Sequence, residues 1–172
     1  MSSGTRSKDD RPRVSITKLA DMKAEGEPIT MVTAYDFPSA QVVEEVGVDV
    51  VLVGDSAANC VLGYDSTVPV GMEEMIMLAA AVRRGLRTPL MVGDMPFGSY
   101  EASNELAVAN AQRLVKEAGC DAVKLEGGGW LVPTVAFLVE RGIPVCAHLG
   151  LTPQSVHALG GYRIQGRSEG EA

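Results

Sequence analysis

The chain has 172 residues, 46% of them apolar, with 19 Gly and 9 Pro, which suits one α/β domain with a sizeable core and tight connections. A formal net charge of −7, from 15 Lys and Arg against 22 Asp and Glu, with no basic run longer than Arg83-Arg84, excludes nucleic acid as the expected partner. The three widely spaced cysteines, Cys60, Cys120 and Cys146, form no CxxC and exclude a disulfide scaffold or a zinc cluster, so a reducing, cytoplasmic home is expected. No apolar stretch is long enough to cross a bilayer, and no membrane partner is expected.

In chain order, residues 1–13 are polar, mixed in charge and without an apolar segment, and are expected to be a flexible tail preceding one domain over 14–172. Apolar positions 16, 19, 20 and 22 after Ser15 predict a short amphipathic helix that Gly26 ends. Pro28 to Ala34 reads as a first buried strand delivering Tyr35 and Asp36, where Asp36 is either an outer partner of a metal or a helix cap. Helical spacing from Ser39 to Val46 leads into Val50-Val51-Leu52-Val53, an apolar run that stops at Gly54-Asp55-Ser56. The longer connection from Ala57 to Val70 contains Gly63-Tyr64-Asp65-Ser66-Thr67, polar and turn-rich enough to be an active-site loop rather than a packed element. A helix from Glu73 to Arg84 follows, then a strand from Leu90 to Gly93 ending at Asp94, then a helix from Ser103 to Ala118. The fourth strand, Ala122 to Leu125, ends at Glu126, after which Gly127-Gly128-Gly129 allows a close backbone approach to a ligand or metal. A helix from about Leu131 to Arg141 and a strand from Ile143 to His148 precede a short helix beyond Gln154 and a Gly-rich, polar ending.

Three acidic groups closing successive apolar strands, Asp55, Asp94 and Glu126, predict a hard-metal site at one mouth of a parallel β/α structure. Lys124 lies two positions before Glu126, so both face the same side, and a buried lysine needs an anionic partner, either one of these carboxylates or a substrate carboxylate. Ser56 reads equally as a cap or as a substrate contact, and His148 as a hydrogen-bonded structural residue or a substrate contact. Tyr35 and Tyr64 are candidates for pocket walls, and Trp130 for packing. Polar cargo at four strand ends favours a (β/α)8 barrel over a doubly wound sheet, and GxGxxG and GxxxxGKS/T are absent. A whole barrel takes about 250 residues, so about five units of one are expected here, with edge strands and apolar helix faces exposed.

Thr33-Ala34-Tyr35-Asp36, Val51 to Ser56, Gly63 to Thr67, Ala81 to Gly85, Asp94 to Phe97, Val123 to Gly128, His148 to Ser155 and Gly160 to Arg167 together resemble the ketopantoate hydroxymethyltransferase family from about Ile16 onward. The resemblance implies a TIM barrel of the phosphoenolpyruvate mutase/isocitrate lyase type. It implies Mg2+-dependent transfer of a hydroxymethyl group from 5,10-methylenetetrahydrofolate to 3-methyl-2-oxobutanoate, giving 2-dehydropantoate in pantothenate biosynthesis. In that scheme Asp55, Asp94 and Glu126 hold Mg2+, the last through water, while Asp55, Ser56, Asp94, Lys124 and His148 bind the ketoacid, whose metal-bound enolate attacks the one-carbon unit. A homo-oligomer, a decamer in the family, is implied as well.

The family's general base is a glutamate on a later strand, expected beyond residue 172; Glu169 and Glu171 are not assigned that work, and the 172 residues alone are expected to be inactive. The alternatives are a related Mg2+-dependent lyase or mutase acting on a 2-oxo acid, and a non-catalytic assembly component.

Overall fold

The apolar runs pair as one parallel five-stranded sheet in the computed structural model, which describes residues 11–162 and 164–166. The strands are β1 (Met31–Thr33), β2 (Val50–Val53), β3 (Leu90–Asp94), β4 (Ala122–Glu126) and β5 (Val145–His148). They alternate with α1 (Ile16–Glu25), α2 (Phe37–Val46), α3 (Ala57–Cys60), α4 (Met72–Gly85), α5 (Asn104–Glu117), α6 (Val132–Glu140) and α7 (Val156–Leu159), and two 3-10 turns cover Gly129–Leu131 and Pro153–Ser155. Spatial order is β1-β2-β3-β4-β5, so each strand is added on the same side as the last. Such an order has no point of reversal, which makes it part of a (β/α) barrel wall rather than a doubly wound sheet.

Period-2 alternation gives the sheet two unlike faces. Val51, Val53, Met91, Val123 and Leu125 point toward the helices and join Ala40, Met75, Ala79, Val82, Ala111, Leu114 and Leu138 in the main core. Val50, Leu90, Val92 and Ala122 form a second cluster on the opposite face, with Leu52 and Cys146 beside it, and Val14 and Leu19 pack there. Continuing two residues along that face, Leu90-Val92 gives way to Asp94, and Ala122 to Lys124 and Glu126. One face therefore passes from apolar to charged toward the C-terminal ends of its strands.

Gly93 keeps the helix side of β3 bare because a Cβ there would lie 2.7 Å from Cys120 Sγ. Local capping sets the helix starts. Ser15 accepts from the Lys18 N–H at the head of α1, and Ser103 accepts from the Leu106 N–H at the head of α5. Asp36 accepts from the Ser39 N–H at 2.8 Å and forms a reciprocal capping box. Of its two sequence readings the cap is the one found, and the resulting hydrogen bonds hold its carboxyl below the usual range.

Two expectations are corrected. β1 is exposed along its whole length rather than buried, because only β2 flanks it among the described residues. The connection after Asp55 is not all loop, since α3 seats Ala57 and Ala58 fully in the core. Of the expected tail, 1–10 lie outside the described residues. Arg11 and Arg13 are engaged, donating to the Glu44 carbonyl and to Asp121. Arg163, Arg167, Glu169 and Glu171 also lie outside the described residues.

Glu44 on α2 ties the helix layer to the start of β3. Its buried carboxylate accepts from the Arg87 N–H (2.7 Å), the Thr88 N–H (3.1 Å) and the Thr88 hydroxyl (2.7 Å). Burial opposes its charge, but these donors and Arg11 outweigh it and hold the pKa below the ordinary 4.5. Glu44→Ala, which leaves three donors unpaired, is expected to cost about 2–4 kcal/mol in urea unfolding at pH 7. A depressed acid pKa stabilises above its unfolded value and is lost as pH falls through the folded one, so the gap between parent and variant should narrow below pH 4.5.

Candidate active site

Register brings the charged side chains together. Asp94 stands opposite Lys124 in the β3–β4 ladder, and Glu126 opposite His148 in the β4–β5 ladder. Lys124 Nζ donates to Asp94 Oδ1 at 2.6 Å and lies 3.5 Å from Glu126 Oε1. His148 Nδ1 is 2.8 Å from the same Glu126 oxygen. Val53 pairs with Gly93, so Asp55 emerges just past the end of β2, beside Asp94. Its N–H donates to Asp94 Oδ2 at 3.0 Å. Gly54 permits this approach, because a Cβ there would lie 2.8 Å from Ser56 Oγ and 3.4 Å from Asp94 Oδ2.

Asp55, Asp94 and Glu126 are each at least 95% buried, and among the described residues Lys124 is the one lysine or arginine in hydrogen-bond contact with the cluster, reaching Asp94 and Glu126. Burial, and then the charge of Asp94, push the Asp55 carboxyl up to about 6. Asp94 is raised by its burial despite Lys124. Burial works against the charge of Lys124, but Asp94, Glu126 and Asp55 outweigh it and raise its pKa, so the ammonium form is held. The site is thus short of positive charge, a condition that a hard cation would relieve.

Ser56 does not cap α3, since its side chain makes no cap hydrogen bond. Its hydroxyl is instead 2.8 Å from the Tyr35 hydroxyl, which brings the ends of β1 and β2 into contact. Tyr64 lies elsewhere, donating to Glu74 at 2.7 Å. The bare backbone at Gly127 makes room for Trp130 rather than for a ligand, because a Cβ there would lie 2.8 Å from the indole ring. Trp130 itself is 59% exposed.

Sequence reasoning gave no role to Tyr100 or Gln154, both of which are buried in this network. The Gln154 side-chain amide donates to Asp55 Oδ2 (2.8 Å) and to the Met95 carbonyl (2.9 Å), and its backbone N–H donates to Glu126 Oε2 (3.1 Å). Tyr100 donates to Gln154 Oε1 at 2.6 Å and accepts from the Glu126 N–H at 3.2 Å. Neither residue directly closes an apolar strand, so no periodicity marks them.

Among the described residues no group of three His, Cys, Asp or Glu side chains stands as a preformed metal cage. The oxygen donors that remain, on Asp55 and Asp94, suit Mg2+, which is commonly bound through one or two carboxylates together with substrate and water oxygens. Among the described residues no helix is long and apolar enough to cross a membrane.

The comparisons with known proteins agree on family and fold. The family model for ketopantoate hydroxymethyltransferase matches residues 13–172. The chain is 57% identical over 159 residues to 3-methyl-2-oxobutanoate hydroxymethyltransferase of Frankia alni, covering 92% of this chain and 52% of that protein. With the same enzyme of Moorella thermoacetica it is 58% identical over 161 residues, covering 94% and 60%. The chain thus spans between about half and three-fifths of the length of these relatives.

Among solved structures, oxaloacetate acetylhydrolase in complex with 3,3-difluorooxalacetate superposes with a TM-score of 0.59 at 15% identity, covering 80% of this chain and 54% of that one. A 2,3-dimethylmalate lyase of the PEP mutase/isocitrate lyase superfamily gives 0.58 at 15% identity, covering 78% and 51%. These two show the fold alone, and it is the barrel type that the strand order implies. The family-model match and the two close relatives establish that the chain belongs to the ketopantoate hydroxymethyltransferase family.

Proposed function

We propose that the chain carries the ketoacid and metal half of a hydroxymethyltransferase site, moving a one-carbon unit from 5,10-methylenetetrahydrofolate to 3-methyl-2-oxobutanoate to give 2-dehydropantoate. The observation that carries this reading is the buried carboxylate excess around Lys124 at the strand ends of a chain of this family. Asp55 and Asp94 would hold Mg2+, with Glu126 behind them through water. When bound, the ion would draw electron density from the ketone oxygen and make the adjacent C–H more acidic.

The chain's own residues do the rest. Lys124 presents a held positive charge to the ketoacid carboxylate and exchanges part of its contact with Asp94 for it. Ser56, fixed by Tyr35, offers a hydroxyl to the same acid. His148, held by Glu126, lines the opposite side. The proton lost from carbon passes, on the family resemblance, to a glutamate on a later strand. A homo-oligomer, ten-membered as the family implies, belongs to the same reading. Exposed Val42 and Val46 on α2 and Val132 and Val139 on α6 supply apolar area for it.

Calorimetry of the chain with 3-methyl-2-oxobutanoate should show binding that requires Mg2+, with little 2-dehydropantoate formed when the folate is added. No binding with or without the ion would overturn the site, and rapid turnover would overturn the placement of the base elsewhere. Lys124→Met is expected to weaken ketoacid binding by about 100-fold, roughly the 2–3 kcal/mol of a charged hydrogen bond, in the same titration.

Asp55→Asn should abolish Mg2+-dependent ketoacid binding while stabilising the metal-free fold. The folded pKa of Asp55, about 6, lies above its ordinary 3.8, so the native state binds the extra proton and loses stability as pH rises through that window. Urea unfolding in chelator should therefore favour Asp55→Asn at pH 7, by on the order of 1–3 kcal/mol, and show no difference near pH 4.

A further inference from the structure

Gln154 makes four hydrogen bonds that end on the groups following three different strands. Its amide donates to Asp55 Oδ2, beyond β2, and to the Met95 carbonyl, beyond β3. Its backbone N–H donates to Glu126 Oε2 at the end of β4, and its side-chain Oε1 accepts from the Tyr100 hydroxyl at 2.6 Å, closer than the Glu126 carbonyl that lies 3.0 Å from the same hydroxyl. Both amide protons face acceptors, so the group has one orientation: rotating it by half a turn would set its oxygen against a carboxylate and a carbonyl. Tyr100 enforces that orientation from the loop after β3, and Gln154 and Tyr100 are only 4% and 2% exposed.

The chemistry of the donor is as informative as its position. Lys124 already neutralises Asp94, and a second cation beside Asp55 would compete with a metal ion for the same oxygen. An amide satisfies one buried oxygen of Asp55 without cancelling its charge, and among the described residues no hydrogen bond reaches the other oxygen. An apolar residue of the same size would leave Asp55 buried without that donor and free to turn.

We propose that Gln154, braced by Tyr100, is a positioning residue that fixes the Asp55 and Glu126 carboxylates for a divalent cation and the ketoacid it binds. The inference rests on the metal-dependent reading above.

The test titrates Mn2+ into the intact chain and reads the free ion by its paramagnetic resonance signal, with thermal unfolding in chelator as the control for folding. Gln154→Met keeps the side-chain volume and removes the amide, and the Mn2+ dissociation constant should rise by about 10–100-fold, the usual effect of losing a group that orients a ligand. Tyr100→Phe keeps the ring and removes only the brace, with a smaller rise expected at nearly unchanged thermal midpoint, and it decides the matter if Gln154→Met does not fold. Parental Mn2+ affinity in a folded variant would overturn the inference and leave the site reading intact. Absence of Mn2+ binding by the parent chain, or parental binding by Asp55→Asn, would overturn the metal site and the inference with it.

Discussion

The contact between Lys124 and Asp94 across the β3–β4 ladder governs the charged end of this sheet. Three carboxylates withdrawn from water repel one another, and burial, with that repulsion added to it, drives two of them toward their neutral forms. Lys124 offsets that cost for Asp94 and partly for Glu126. It makes no hydrogen bond to Asp55, whose carboxyl is raised to about 6 by burial and then by the charge of Asp94. An imbalance of this kind lowers the stability of the fold as it stands and creates affinity for an added cation, so site and strain have the same origin.

The rest of the architecture holds that imbalance in place. Helices on one face supply a continuous apolar core, and the opposite face is apolar only at its N-terminal end, where Val14 and Leu19 close it. Moving two residues along β3 and four along β4 changes the inward side chains from Val92 and Ala122 to Asp94 and Glu126. The hydrophobic effect is therefore concentrated away from the chemistry while the same strands carry both. Glu44, on the helix side, anchors the segment that leads into β3, the strand that carries Asp94.

Much of this was legible in the sequence. Strand alternation has a period of two, so Lys124 and Glu126 had to share a face, and apolar runs ending at Asp55, Asp94, Glu126 and His148 had to deliver those groups to one edge of a parallel sheet. Where the chain was misread, a local signal was outweighed by packing. The polar stretch after Asp55 contains α3 because Ala57 and Ala58 fit against the core. β1 reads as a buried strand by composition, yet lies exposed because burial belongs to neighbours and not to the residues themselves.

The sequence by itself determined the β/α alternation, the polarity of the sheet and the residues that close each strand, since these follow from side-chain periodicity and capping over a few residues. Only the tertiary structure decided which of them touch. The Ser56–Tyr35 contact, the His148–Glu126 contact and the bonds of Gln154 to Tyr100 and Asp55 join residues between 21 and 99 positions from their partners. Hydrogen bonds over such separations depend on register and sheet curvature, which are properties of the whole packed chain and leave no periodic trace in any one segment.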